Sequence, residues 1–201
     1  MAQYRLIPGR FDQAEGCDPK TPARICLGSG TARCYAPEST KSYTFGMELK
    51  AITVGKLDDR PLILFSAMFY GCGSGTLTDY SLLTVRAGEF VNLLPTVRLT
   101  NQSEYEFWTL PEVSTLPVLV TADFIWKFGN PKDPSDQGET HLAAHRYAID
   151  VFVYSPKNGK YENVVDYSTK KKYASLDDVD KIRVIEPEKS AILAKLGVSS
   201  K

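Results

Sequence analysis

Cys72 sits in the run "YGCGSGTLTDY" (Tyr70–Tyr80), directly after an apolar stretch. Such a cysteine becomes a nucleophile only when a histidine or another positive group stabilises its thiolate. The chain has two histidines, His141 and His145, both about seventy residues further on, so the sequence does not force that pairing. As a phosphate cradle the run also fails. Gly-Cys-Gly-Ser-Gly-Thr lacks the GxGxxG spacing and the terminal Lys-Ser/Thr, and it leads into a strand pattern rather than a helix. The same Gly-Ser-Gly-Thr recurs at Gly28–Thr31 beside Cys26. Cys72 therefore reads as part of a disulfide-tied loop between strands.

"ETHLAAHRY" (Glu139–Tyr147) holds the histidine cluster. On one helical turn His141 and His145 would share a face, and with Glu139 or Asp123 they could hold zinc. The HExxH glutamate of a metalloprotease is missing, so the reading assigns no metal and keeps Glu139, His141 and His145 as the alternative ligand set. "KDPSDQGE" has acids without EF-hand spacing and reads as a solvated insertion. The aromatics Tyr105, Phe107, Trp108, Phe124, Trp126 and Tyr154 could form a ligand platform or half of a core. From these, Trp108, Asp123, Trp126, His141 and His145 are the candidate binding residues. No catalytic residue is assigned, because the serine, cysteine and paired-carboxylate arrangements each lack a necessary partner.

The elements that must position these residues are strands. From Tyr43 onward the chain alternates with β-branched and aromatic residues in "YTFGMELKAITV", "LILFSAMFY", "YSLLTV", "EFVNLL", "EYEFWTL", "VLVTADFIW", "YAIDVFVY" and "KYENVVDY". "AGEF" and Asn158-Gly159 mark hairpin turns. "PLILFSAMFY" (Pro61–Tyr70) parallels "PVLVTADFIW" (Pro117–Trp126), and "YSLLTVRAGEFVNLL" parallels "YAIDVFVYSPKNGKYENVV". Two repeated four-stranded meanders follow, about 42–97 and 103–166. The second is interrupted by a polar insertion, Lys127–His145, which carries both histidines.

The order Phe45-Gly46, then Gly55, Asp58 and Asp59, then an apolar strand, resembles the FG-GAP/VCBS family of β-repeats. That resemblance implies blade-like meanders with a calcium loop. The second unit has no aspartate in its corresponding "LPEVSTLP", and calcium needs six to eight oxygen ligands, so no cofactor is expected.

The expected fold is all-β: two repeated antiparallel meanders, sandwich-like or a partial propeller, with a short C-terminal helix. The expected domains are a loop-rich cysteine segment 1–41, a two-repeat β domain 42–173, and a C-terminal segment 174–201. "IEPEKSAILAKLG" gives that segment a helix at about 187–196, with Pro187 in its first turn and Gly197 as its stop. Ile192, Leu193 and Leu196 make its docking stripe.

Lys plus Arg equals Asp plus Glu at 24 each, which argues against a nucleic-acid partner. No window is apolar enough for a membrane span. Cys17, Cys26, Cys34 and Cys72, an even set confined to the first 72 residues, are disulfide candidates. They point to a secreted or periplasmic protein, with the cytoplasm as the alternative because no signal peptide opens the sequence. The expected function is a non-enzymatic exported binding module for a protein or glycan. The alternatives are a hydrolase or metal protein around His141 and His145, and an assembly protein that uses a sheet edge.

Overall fold

A computed structural model describes residues 4–11, 19–29, 33–37, 48–70, 76–127, 132, 138, 143–174 and 182–198. Cys17, Cys72, Glu139 and His141 lie outside these, as does most of the insertion. The architecture is all-β with one short C-terminal helix. It divides into two compact units: Met1–Asn101 with Ser155–Tyr161, and Gln102–Tyr154 with Glu162–Lys201.

In the first unit the segment 1–41 is not merely loops. It forms β1 (Tyr4–Ile7), β2 (Arg10–Phe11), β3 (Pro19–Thr21), β4 (Arg24–Leu27) and β5 (Cys34–Tyr35). β1, β4 and β5 make a three-stranded sheet and β2 pairs with β3. Burial explains the difference. Ala23 and Ile25 join Ile63, Phe65, Ala67 and Leu83 in one core cluster, so the chain around them must pair its backbone to enter it. Cys26 and Cys34 are direct cross-strand partners and form a disulfide.

The main sheet of this unit is built from β6 (Glu48–Leu57), β7 (Arg60–Tyr70), β8 (Thr76–Arg86), β9 (Glu89–Asn92) and β10 (Val97–Thr100). Its order is β10-β8-β7-β6, with β9 also pairing β8. Asp58 and Asp59 are the two-residue turn of the β6–β7 hairpin, both left-handed at φ 49° and 60°. That conformation suits short side chains that bond their own backbone. These aspartates are accounted for as turn residues. Ala87 and Gly88 make the β8–β9 turn in the same way, at φ 49° and 80°. At the tip Ser155–Tyr161, Gly159 N–H donates to Ser155 O (2.8 Å) and only Gly159 has positive φ, so this hairpin uses a four-residue loop rather than a two-residue Asn-Gly turn. Tyr161 N–H donates to Leu93 O at 2.7 Å.

The second unit holds the meander β11 (Ser103–Trp108), β12 (Val118–Ile125), β13 (Arg146–Ser155) and β14 (Lys160–Ser168), in that spatial order. Pro61–Tyr70 falls on β7. Pro117–Trp126 spans β12. Both strands are interior to their sheets; in the first sheet β8 also pairs with two short strands, β9 and β10.

Helix α1 (Ile185–Lys195) covers one face of the second sheet. It begins two residues before the expected start, with Pro187 still in the first turn, where a missing N–H costs nothing. No side chain of its own caps it. Instead Glu104 on β11 accepts the backbone N–H of Val184 (2.7 Å) and of Ile185 (2.9 Å), placing a carboxylate at the positive end of the helix. Ile185 and Ile192 are fully buried against Val118, Val120, Ala122, Tyr147, Ile149 and Val151, and Leu193 and Leu196 flank them. Ile192→Ala should therefore cost about 2–5 kcal/mol by urea unfolding. Glu104→Ala should cost about 1–2 kcal/mol, because two helix donors lose their acceptor. An Ile192→Ala loss under 0.5 kcal/mol would mean that the helix is a loose appendage.

Candidate functional site

The strand register decides which expected site residues meet. On β12, Val118, Val120, Ala122 and Phe124 face the helix side, and on β13 Tyr147, Ile149 and Val151 do the same. His145 continues that face. Its imidazole stacks on Trp126 (5.8 Å between centroids, 23°) and lies 5.1 Å from Phe124. Its backbone bridges to Tyr173 through N–H to O at 2.9 Å and O to N–H at 2.7 Å. His145 has no exposed surface, so this ring is enclosed among aromatics rather than presented to a substrate.

Asp123 falls on the other face by strand alternation, opposite Ser103 and Ala148, and its Oδ1 accepts the N–H of Phe124 (3.1 Å). The sheet thus separates Asp123 from His145. Trp108 is on the helix face, but it pairs with Val118, at the far end of β12 from Trp126, about 25 Å away at ~3.3 Å per residue. Its indole N–H donates to Glu106 (2.6 Å), and Lys189 Nζ lies 5.6 Å from the ring. Of the expected set, the structure brings together Trp126 and His145, adds Phe124, and keeps Trp108 and Asp123 apart. Among the described residues no three His, Cys, Asp or Glu side chains converge as a metal site would require. Tyr105 and Phe107 touch edge to face on the opposite side of the sheet, at 6.4 Å.

Three groupings were not evident in the sequence. The first is Asp79 on β8, 2% exposed, paired with Arg98 directly across on β10 (Nε to Oδ1 2.8 Å). Burial raises its carboxyl above the usual range, and Arg98 pulls it partly back. Beside it a cavity of about 90 Å³ is lined by Tyr35, Ser81 and Asn92 among others. The Ser81 hydroxyl meets the Tyr35 hydroxyl at 3.0 Å, so its neighbour is a phenol and not a base. Asn92 Oδ1 accepts from Leu82 and Leu94 N–H. This grouping ties β10, β9 and β8 together. An acid inside an otherwise apolar alternation, matched by the arginine of "VRLT", was its only trace.

The second is Glu188, whose carboxylate accepts the hydroxyls of Tyr167 (2.9 Å) and Tyr173 (2.5 Å), clamping α1 to β14 and to the strand end beyond it.

The third is the outer edge of β14. No strand pairs there among the described residues, and Val164 is 50% exposed. Asn163, Val164, Val165 and Asp166, with Lys195 from the last turn of α1, line an open groove of about 450 Å³. Lys195 Nζ is held 4.9 Å over the Tyr167 ring. Asn163 donates to Asp150 (2.7 Å).

Comparison of the chain with protein-family models, curated proteins and solved structures yields no match. Any function must therefore be argued from these groupings.

The tyrosine clamp gives a pH dependence with a definite sign. Burial first, and then Glu188, raises both phenols, Tyr173 to about 12 and Tyr167 further. A raised folded-state value stabilises fully below the unfolded-chain tyrosine pKa of about 10 and is lost as pH rises through the folded value. Tyrosinate absorbance should show Tyr167 and Tyr173 among the late-titrating phenols, and stability should fall above pH ~10. Glu188→Gln should lower both phenols, leaving the part of the rise that burial causes. A titration unchanged by Glu188→Gln would contradict the clamp.

Proposed function

We propose that the chain is an exported, non-catalytic binding module that engages a protein partner by adding a strand to β14. The observation that carries this reading is the open edge itself. An edge strand presents a row of N–H and C=O groups without sheet partners, and an extended peptide satisfies them with no further adaptation. The groove between β14 and Lys195 gives such a peptide a bounded place to lie, and Val164 offers it an apolar contact. The cross-strand disulfide Cys26–Cys34 supports export, since such bonds persist in oxidising compartments. A hydrolase built around the histidines draws no support from His145, whose imidazole is enclosed.

The test is an NMR titration with a soluble, pegylated nine-residue peptide of alternating threonine and valine. Perturbed amides are expected along residues 162–168 and at Lys195. Binding elsewhere, or none at millimolar peptide, would overturn the proposal.

A further inference from the structure

A separate site lies wholly within the first unit, at the cavity beside Asp79. On β8, strand alternation puts Asp79, Ser81 and Leu83 on one face, across from Ala67, Phe65 and Ile63 of β7. Leu83 and the three β7 residues belong to one apolar cluster, whereas Asp79 and Ser81 carry polar groups to its end at 2% exposure each. A buried carboxylate offers about four acceptor positions. Arg98 Nε meets Oδ1 at 2.8 Å, but Nη2 reaches Oδ2 only at 3.5 Å, beyond the usual N–H···O range. Asp79 thus brings an under-used acceptor to the cavity it lines.

The lining sets the class of ligand. Asp79 and Arg98 together are neutral, so neither a lone cation nor a lone anion gains much net attraction beside them. The other polar groups are hydroxyls and an amide: Tyr35 and Ser81, whose hydroxyls meet at 3.0 Å, with Thr96 and Asn92. A hydroxyl both donates and accepts, so such a lining is matched best by other hydroxyls. The Tyr35 ring, edge-on to Phe65 at 6.5 Å, and Val97 supply apolar wall for C–H groups. A cavity of ~150 Å³ holds a six-carbon ring. One of about 90 Å³ takes a fragment of a few heavy atoms instead. Thr96 is exposed while Asp79 and Ser81 are buried, so entry is from the connection between β9 and β10.

We infer that this cavity binds a neutral vicinal diol, the chemistry shared by a small polyol and the rim of a saccharide. One hydroxyl would donate to Asp79, its neighbour would pair with Ser81 or Thr96, and the carbons would lie against Tyr35 and Val97. Water can fill the same positions, but each molecule is ordered separately. A diol brings two hydroxyls on one frame and adds the apolar contact. The site is independent of strand addition at β14, and the failure of either leaves the other standing.

Four two-carbon probes test this on the full chain by amide NMR titration: ethylene glycol, ethanol, ethylammonium and acetate. Ethylene glycol should saturate, with shifts at Asp79, Ser81, Asn92 and Thr96, and bind roughly fivefold more tightly than ethanol, which lacks one hydroxyl. Ser81→Ala should weaken it by a similar factor. Thr96→Trp, at an exposed position, should fill the mouth and abolish saturation without lowering the melting temperature. Methyl glucoside and glycerol distinguish the sources: a saccharide source predicts that both shift the same amides, a free polyol that only glycerol does.

Equal binding of ethanol would reduce the site to an apolar hole. Tighter ethylammonium would make it a cation site on Asp79, and tighter acetate an anion site on Arg98. Saturation that survives Thr96→Trp would place the binding elsewhere, and no saturation by any probe would leave the cavity to water. Each of these results would overturn the inference.

Discussion

Every backbone N–H and C=O taken out of water must find a partner, and in a β protein this requirement sorts the strands before any side chain acts. β7, β8, β12 and β13 have strands on both sides, and they carry most of the fully buried apolar residues: Leu62, Ile63, Phe65, Leu82, Leu83, Val118, Val120, Ile149 and Val151. The strands at the ends of the sheets carry the polar residues. β6 alternates exposed and half-buried positions, and β14 exposes most of its length. An edge is thus the one place where an all-β chain keeps unspent hydrogen-bonding capacity, and β14 is where that capacity borders a groove.

Helix α1 shows how the second unit closes one sheet face without closing that edge. Its apolar stripe meets β12 and β13, while Glu104 anchors its first turn from β11 and Glu188 gathers the hydroxyls of Tyr167 and Tyr173. Charge and dipole favour both ends, with acids in the first turn and Lys195 in the last. The helix therefore covers the apolar face and leaves its final lysine at the lip of the groove. The enclosed His145, Trp126 and Phe124 belong to the packing at the other end of β12, and their role is to hold the strand end that bridges to Tyr173.

Alternation was enough to find the long strands, since a half-buried strand must repeat with period two, and the terminal helix declared itself through Pro187, Gly197 and its apolar spacing. What escaped depends on contacts distant in sequence. β10 is four residues with little pattern of its own, and its place comes from β8 through Arg98 and Asp79. The short strands β1, β4 and β5 become strands because Ala23 and Ile25 enter a core made by β7 and β8. Asp58 and Asp59 are as compatible with a cation loop as with a tight turn until the β6–β7 register is known. Among the candidate site residues, residue types identified the aromatic–histidine cluster. Only the register shows that Asp123 is on the opposite face and Trp108 at the opposite end. The β14 edge could be read as a strand, but not as the last one in its sheet.

Strand addition requires the outer edge of β14 to be open from Asn163 to Ser168. Amide hydrogen exchange of the full chain, resolved by residue, tests this most directly. Strand alternation predicts that about every other amide in this stretch exchanges rapidly, while the amides of β13 between Tyr147 and Phe152 stay protected. Uniform protection along β14 would show that another element already occupies its edge, and would contradict the account.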